Sequence, residues 1–152
     1  MRRMRANIRF SLSLAAALAL SAGAADAIEF RSVGEPAVLF DAPSEKGKRL
    51  YIVAPGTPVE VVVTLDKWVK VRDAGGALTW IERRALSEKR TVMVAVPRAV
   101  VRQHPADEAS AAFETVKDAV LEFVAQSGDG WIQVRHKDGT QGYLKISEVW
   151  GL

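Results

Sequence analysis

The sequence predicts an all-β fold in which two small β-barrels follow one another along the chain, after an N-terminal signal peptide. Three observations predict it: a basic and then apolar N-terminus, a strand-like segment that occurs twice, and many turn residues between short β-branched runs. A chain of 152 residues has room for one ordinary domain or for two very small ones. The repeat decides in favour of two.

The N-terminus has the three parts of a secretory signal peptide. Four arginines precede an apolar run at 10–22, and Ala25-Asp26-Ala27 then forms an Ala-x-Ala cleavage site. The run is shorter than the roughly 20 apolar residues that a transmembrane helix needs. We therefore expect cleavage after Ala27, which removes the signal peptide at 1–27. The mature protein is then periplasmic or secreted, without stable membrane insertion.

Cleavage would also remove the surplus positive charge. The whole chain has 21 Lys and Arg against 18 Asp and Glu, a net charge of +3. The leader holds four of the basic residues and one of the acidic ones, so 17 of each remain. A mature chain without net charge gives no reason to expect nucleic acid as a partner. The chain has no cysteine, so packing without disulfides must stabilise each barrel.

One strand-like segment occurs twice. Trp68–Arg72 and Trp131–Arg135 both read Trp, β-branched, polar, Val, Arg. Further matches lie at similar spacing on both sides: Gly76 with Gly139, Trp80-Ile81 with Tyr143-Leu144, Ala37-Val38-Leu39 with Ala99-Val100-Val101, and Pro43 with Pro105. Self-similarity of this kind indicates a duplicated structural unit, so we predict one barrel at 28–88 and another at 91–152.

Each unit alternates short strand-like runs with turn residues. In the first unit the runs are 50–54, 59–65, 68–72 and 78–82, separated by Pro55-Gly56, Asp66-Lys67 and Ala74-Gly75-Gly76. In the second unit, turns are predicted at 127–130 and at Lys137-Asp138-Gly139. An Asp-Gly pair between two alternating runs is a strong hairpin signal, which supports the all-β prediction.

The segment 109–125 carries a competing signal. Its apolar residues lie at helical spacing, namely Phe113, Val116, Val120, Leu121 and Val124. The matching stretch of the first unit contains Pro55, Gly56 and Pro58, and a helix interior does not tolerate proline. If the two units share a fold, residues 109–125 form a strand, a turn and a second strand, and this is our prediction.

The second unit carries an ordered set of motifs. They are Val100-Val101-Arg102 with Pro105, then Gly130-Trp131-Ile132-Gln133-Val134, then Asp138-Gly139-Thr140-Gln141-Gly142-Tyr143-Leu144. This set resembles the bacterial SH3 domain (SH3b, including its periplasmic subgroup), and the resemblance implies two SH3-like barrels. The first unit departs from the pattern, because Phe40, Lys67 and Thr79 stand where the family usually has Arg, Gly and Gly. These departures make the first unit the candidate scaffold.

The resemblance also implies a binding role, because relatives are similar to modules that target peptidoglycan or attach to cell-wall enzymes. We therefore expect a non-catalytic cell-envelope binding module that recognises peptidoglycan or a periplasmic protein. The alternative is a structural or regulatory accessory that acts on a cell-wall enzyme through protein–protein contact.

The residue inventory gives no support to catalysis, a metal site or a cofactor. Nucleophilic catalysis needs an activated side chain beside a base, and the serines of the mature chain lie in polar loop contexts. His104 has Asp107 and Glu108 close by but lacks the further ligands of a metal site, and His136 has no partner at ligand spacing. We therefore expect no enzyme activity, no bound metal and no cofactor.

The aromatic residues supply the candidate binding site. Because side chains alternate along a strand, Val69 and Val71 share the core face and Trp68 lies on the outer face. The predicted outer faces carry Trp68, Arg72 and Trp80 in the first unit and Trp131, Arg135 and Tyr143 in the second. These rings either form an exposed groove for a peptide, such as the stem peptide of peptidoglycan, or pack as caps on the barrels. Trp150 is predicted to be a packing residue.

Overall fold

A computed structural model describes residues 27–152, and within them the fold is all-β, as predicted. The strands form two sheets of seven strands each. Two 3₁₀ helices, Arg83–Ala85 and Ile146–Glu148, are the helical elements of the described chain, in which no helix is long and apolar enough to span a bilayer. The predicted signal peptide at 1–27 lies outside the described residues, except for Ala27.

The second sheet repeats the first strand for strand. The first contains β1 (Glu29–Val33), β2 (Ala37–Phe40), β3 (Arg49–Val53), β4 (Pro58–Thr64), β5 (Trp68–Arg72), β6 (Leu78–Glu82) and β7 (Leu86–Ser87). The second contains β8 (Thr91–Val94), β9 (Arg98–Arg102), β10 (Ala111–Val116), β11 (Val120–Gly128), β12 (Trp131–Arg135), β13 (Gln141–Lys145) and β14 (Val149–Trp150). The strand orders are β3-β2-β6-β5-β4-β1-β7 and β10-β9-β13-β12-β11-β8-β14. The predicted tandem repeat of small barrels is therefore confirmed.

A tight antiparallel hairpin lies at the centre of each sheet. Trp68 pairs with Glu82 across β5 and β6, and Trp131 pairs with Lys145 across β12 and β13. The turn of the second hairpin contains Gly139 at a φ of 94°, in the left-handed region that glycine adopts without steric cost. The two hairpins hold equivalent residues at equivalent places, which allows the two barrels to be compared position by position.

Aliphatic side chains fill the inside of both barrels. The buried core residues are Val33, Ala37, Leu39, Val59, Val69, Val71, Ile81 and Ala85 in the first barrel and Val92, Val94, Ala99, Val101, Leu121, Ile132, Val134 and Leu144 in the second. Val69 and Val71 thus lie on the core face, as their alternation with Trp68 predicts. Phe113 and Phe123 pack against the second core while staying partly exposed.

The segment 109–125 forms a strand, a turn and a strand, which confirms the prediction against the helical spacing of its apolar residues. β10 pairs with β9, and β11 pairs with both β8 and β12. Asp118 takes a positive φ of 67° in the turn between the two strands. Pairing with three neighbouring strands outweighs the local preference for helix, and it leaves Val116 58% exposed.

Contacts from both ends of the described chain join the two barrels. Phe30 on β1 meets Trp150 on β14 edge to face, with ring centroids 5.0 Å apart. The Arg90 guanidinium lies about 6 Å from the rings of Phe30 and Phe123 and donates to the carbonyl oxygen of Gly151 at 3.0 Å. Trp150 is thus a packing residue, as expected, and its partner belongs to the other barrel.

A close approach between strands explains one departure between the repeats. Gly142 on β13 is buried, and a Cβ atom placed there would lie 2.5 Å from Val101 Cγ1 and 2.7 Å from the carbonyl oxygen of Arg102. The equivalent residue of the first barrel is Thr79, which is itself buried at 3% exposure. The first barrel therefore leaves room for a side chain at a position where the second does not.

This difference makes alanine more destabilising at position 142 than at position 79. Gly142→Ala is expected to lower the free energy of unfolding by about 1–3 kcal/mol, because backbone and a core valine must move to admit the methyl group. Thr79→Ala is the matched control and should cost about 1 kcal/mol or less. Urea unfolding followed by tryptophan fluorescence measures both, and equal losses would contradict the close approach at Gly142.

Candidate functional site

The predicted aromatic residues lie on the outer faces of the two central hairpins. In the first barrel Phe40 on β2 pairs with Trp80 on β6, and its ring meets Trp68 edge to face at 5.2 Å. Lys70 Nζ lies 5.8 Å from the centre of the Trp80 ring. Trp68 and Trp80 are partly buried and Phe40 is only 5% exposed. Phe40 and Trp68 thus pack together as an aromatic layer outside the barrel core, and Trp80 neighbours Phe40 in the sheet.

The second barrel covers its tryptophan, and the expectation that Trp131 is exposed is wrong. Trp131 is only 8% exposed. Lys145, which pairs with it across the hairpin, holds its Nζ atom 5.5 Å from the ring centre and forms an ion pair with Asp107 in the β9–β10 loop. Arg102 takes the place that Phe40 has in the first barrel, pairs with Tyr143 and donates to the carbonyl oxygen of Ala109 at 2.8 Å.

An open cleft lies beside Trp68 in the first barrel. It has a volume of about 630 Å³, and three segments form it: the β2–β3 loop, the β4–β5 turn and the end of β6 with the first 3₁₀ helix. Its lining residues are all charged, namely Glu45, Asp66, Lys67, Glu82, Arg83 and Arg84. The Arg83 amide donates to the carbonyl oxygen of Lys67 at 2.9 Å, which fixes two of the three segments to each other.

The cleft carries three acidic and three basic side chains, so it has both signs of charge and no net charge. Arg84 forms an ion pair with Glu82, and this hydrogen bond raises the pKa of the arginine above its ordinary value. Trp68 does not line the cleft itself, but it follows Lys67 in the chain and pairs with Glu82, so it neighbours two of the lining residues. A ligand with separated positive and negative groups and an apolar part would match this surface.

A single pair of positions decides whether the cleft is open. Glu82 and Glu45 in the first barrel are equivalent to Lys145 and Asp107 in the second, counted from the matched Trp and Pro residues. Lys145 and Asp107 attract each other and bridge the cleft over Trp131. Two glutamates repel each other and cannot form this bridge. The first barrel is therefore open where the second is closed.

The two arginines of the predicted site are engaged in ion pairs. Arg72 Nη1 contacts both carboxylate oxygens of Glu60, at 2.8 and 2.9 Å. Arg135 makes one longer contact of 3.3 Å with Glu122. Both pairs lie at the far end of the central hairpins from Trp68 and Trp131, because the two residue types occupy opposite ends of β5 and of β12. The structure therefore does not bring the arginines into the aromatic layer.

The sequence alone did not reveal the cleft. Glu45, Arg83 and Arg84 come from segments that are far apart in sequence, and none of them stands in a recognisable motif. The available signal was the opposite charge of Glu82 and Lys145, which becomes visible once the units are aligned by Trp68 and Trp131. Within residues 27–152, no three His, Cys, Asp or Glu side chains come together in a way that could hold a metal ion.

The sequence matches the bacterial SH3 domain twice, over residues 33–88 and 95–151. The chain belongs to the bacterial SH3 domain family. Bacterial SH3 domains are binding modules, and this chain contains two of them in tandem. A search of curated protein sequences found no significant match.

Solved structures with similar folds are distant. NlpC1 from Trichomonas vaginalis is similar at a TM-score of 0.38 and 13% identity, over 84% of this chain and 47% of that one. An NlpC/P60 family protein from Bacillus cereus ATCC 10987 is similar at a TM-score of 0.38 and 16% identity, over 80% of this chain and 56% of that one. The bacterial SH3 chain thus spans about half the length of these structures.

Reversing the charge at the equivalent positions 82 and 145 is expected to exchange which barrel has its tryptophan covered. Lys145→Glu should expose Trp131, because it removes the bridge to Asp107, and Glu82→Lys should cover Trp68 by creating a bridge to Glu45. Fluorine NMR of fluorotryptophan-labelled protein resolves the rings and reports their solvent exposure through the shift between water and heavy water.

The conservative variant Lys145→Arg keeps the charge and serves as the control. Its Trp131 signal should stay close to that of the unmodified protein. If Lys145→Glu leaves Trp131 as protected as before, the bridge is not what covers the ring.

Proposed function

We propose that the mature chain is a non-catalytic binding module of the cell envelope, periplasmic or secreted, with barrels at 28–88 and 91–152. Its ligand is the peptide part of peptidoglycan, bound in the open cleft beside Trp68. Membership of the bacterial SH3 domain family supports a binding role. The observation that carries the proposal is the contrast between this open cleft and its closed counterpart at Trp131.

The size of the cleft fits a short peptide. Its volume of 630 Å³ falls within the range of roughly 300–1,000 Å³ that is usual for small-ligand sites. Trp68 is partly buried and neighbours two lining residues, Lys67 and Glu82, so we assign its ring to the apolar part of the ligand. A ring held by packing against Phe40 loses little freedom when a ligand covers it, which favours binding.

The charge of the cleft fits the same ligand class. Stem peptides of peptidoglycan carry both carboxylate and amino groups. In the cleft, Arg83 and Lys67 can pair with the carboxylates, and Glu45 and Asp66 can pair with the amino groups. Charge-assisted hydrogen bonds of this kind are stronger than neutral ones and also fix the orientation of a ligand. A polyanion such as nucleic acid would meet the three acidic side chains and is disfavoured.

Retention on purified murein sacculi at low salt tests the proposal. The mature protein should sediment with the sacculi, and Trp68→Ala should weaken retention roughly fivefold because it removes the apolar surface. Glu82→Lys should weaken it as well, since the expected bridge to Glu45 closes the cleft without touching the ring. Tyr143→Ala, on the outer face of the second barrel, is the matched control and should bind as the unmodified protein does.

Two results would contradict the proposal. Absence of retention at low salt excludes wall binding, and retention that neither Trp68→Ala nor Glu82→Lys reduces places the contact on another surface. Capture of a cell-wall enzyme without any murein binding would instead favour the accessory role, in which the module acts through protein–protein contact.

A further inference from the structure

A second cleft lies between the two barrels and is separate from the one beside Trp68. It has a volume of about 390 Å³. The first barrel lines it with Ser32, Val33, Gly34, Pro55, Gly56 and Ser87, the connecting segment with Lys89, and the second barrel with Thr91, Val120, Glu122, Arg135, His136 and Lys137. Neither barrel alone has both walls, so this cleft exists only in the tandem arrangement.

Hydrogen bonds tie the first barrel to the second barrel and to the segment that connects them. The Thr91 hydroxyl donates to the carbonyl oxygen of Gly56 at 2.6 Å, and the Ser32 hydroxyl donates to the carbonyl oxygen of Lys89 at 2.6 Å. Ser32 and Thr91 are both buried. The ring contact between Phe30 and Trp150 joins the same two barrels. The cleft is therefore preorganised, which lowers the cost of ordering it around a ligand.

The cleft has a surplus of positive charge around one carboxylate. Glu122 accepts contacts from Lys89 at 3.2 Å and from Arg135 at 3.3 Å, one to each of its oxygens. Lys137 adds a third cation to the lining. The lysine, arginine and glutamate side chains of the lining thus amount to three positive charges and one negative charge, a local net charge of +2.

The equivalent ion pair of the first barrel, Arg72 with Glu60, engages both oxygens of its carboxylate. Arg72 has Glu60 to itself and contacts both of its oxygens at 2.8 and 2.9 Å. Arg135 shares its carboxylate with Lys89 and has a single, longer contact. Arg135 Nη1 thus makes one contact with its glutamate where Arg72 Nη1 makes two, which leaves one more N–H group of Arg135 free to donate to a ligand.

We propose that the cleft between the barrels binds an anionic group, a carboxylate or a phosphate, through Arg135, Lys89 and Lys137. Arginine pairs with both groups in a fork geometry, and the lysines add point charges. Glu122 occupies the cations when no ligand is bound and competes with the anion. This site is independent of the cleft beside Trp68, and it gives the duplication of the barrel a role that one barrel could not perform.

Titration of the mature protein with inorganic phosphate and, separately, with N-acetylglycine tests the site by amide NMR at constant ionic strength. Saturable shifts are expected at Gly34, Gly56 and Lys137. Arg135→Gln and Lys89→Gln should each weaken binding roughly threefold to fivefold. Glu122→Gln should strengthen binding by a similar factor, because it removes the competing carboxylate, and a merely structural role for Glu122 predicts the opposite.

Arg72→Gln is the matched control, since it removes the equivalent arginine of the other barrel and should leave anion binding unchanged. Saturation by phosphate alone, by the carboxylate alone or by both supports the site and identifies the group it takes. Shifts that do not saturate, an equal loss in Arg72→Gln and Arg135→Gln, or weaker binding by Glu122→Gln would overturn it.

Murein retention separates this site from the proposed function. Arg135→Gln and Lys89→Gln leave the cleft beside Trp68 intact. Retention of these variants on sacculi therefore tests the cleft beside Trp68, and their titration with anions tests the cleft between the barrels. Lys89 is exposed, and its replacement puts little strain on the fold. A loss of binding in Lys89→Gln is therefore not explained by unfolding.

Discussion

The narrow interior of each barrel determines where the large side chains go. A barrel of this size is filled by Val, Leu, Ile and Ala, and its fully buried core residues are all of these types. The tryptophans of the central hairpins alternate with core valines or isoleucine and must therefore lie on the outer face. Once outside, each ring needs a cover of its own, and the choice of cover distinguishes the two barrels.

The repeats diverge in their outer faces while sharing a core and a topology. Phe40 packs on Trp68 in the first barrel, and Lys145 lies over Trp131 in the second. Equivalent carboxylates then have different roles, since Asp107 completes a bridge to Lys145 while Glu45 shares its cleft with a second carboxylate, Glu82, and cannot pair with it. A duplicated fold thus acquires one open and one closed version of the same surface through changes that leave the cores alone.

Much of the fold follows from patterns that are local in sequence. Alternation placed Val69 and Val71 inside, and the comparison of the units identified 109–125 as two strands despite its helical spacing. The burial of Trp131 could not be predicted in this way, because its cover comes from Lys145 on the next strand and Asp107 in a distant loop. Charge pairing between distant segments has no periodic signature, so the clefts emerge only in three dimensions.

The contact between Phe30 and Trp150 also determines how the chain would respond to mechanical force. These residues lie near the two ends of the described chain, on β1 and on β14, with ring centroids 5.0 Å apart. A pull applied at residues 27 and 152 would act first on this contact and on the bond from Arg90 to Gly151, before it reached the interior of either sheet. The hydrogen bonds from Thr91 to Gly56 and from Ser32 to Lys89 would carry the load next, so tension would reach the cleft between the barrels before it reached the cleft beside Trp68.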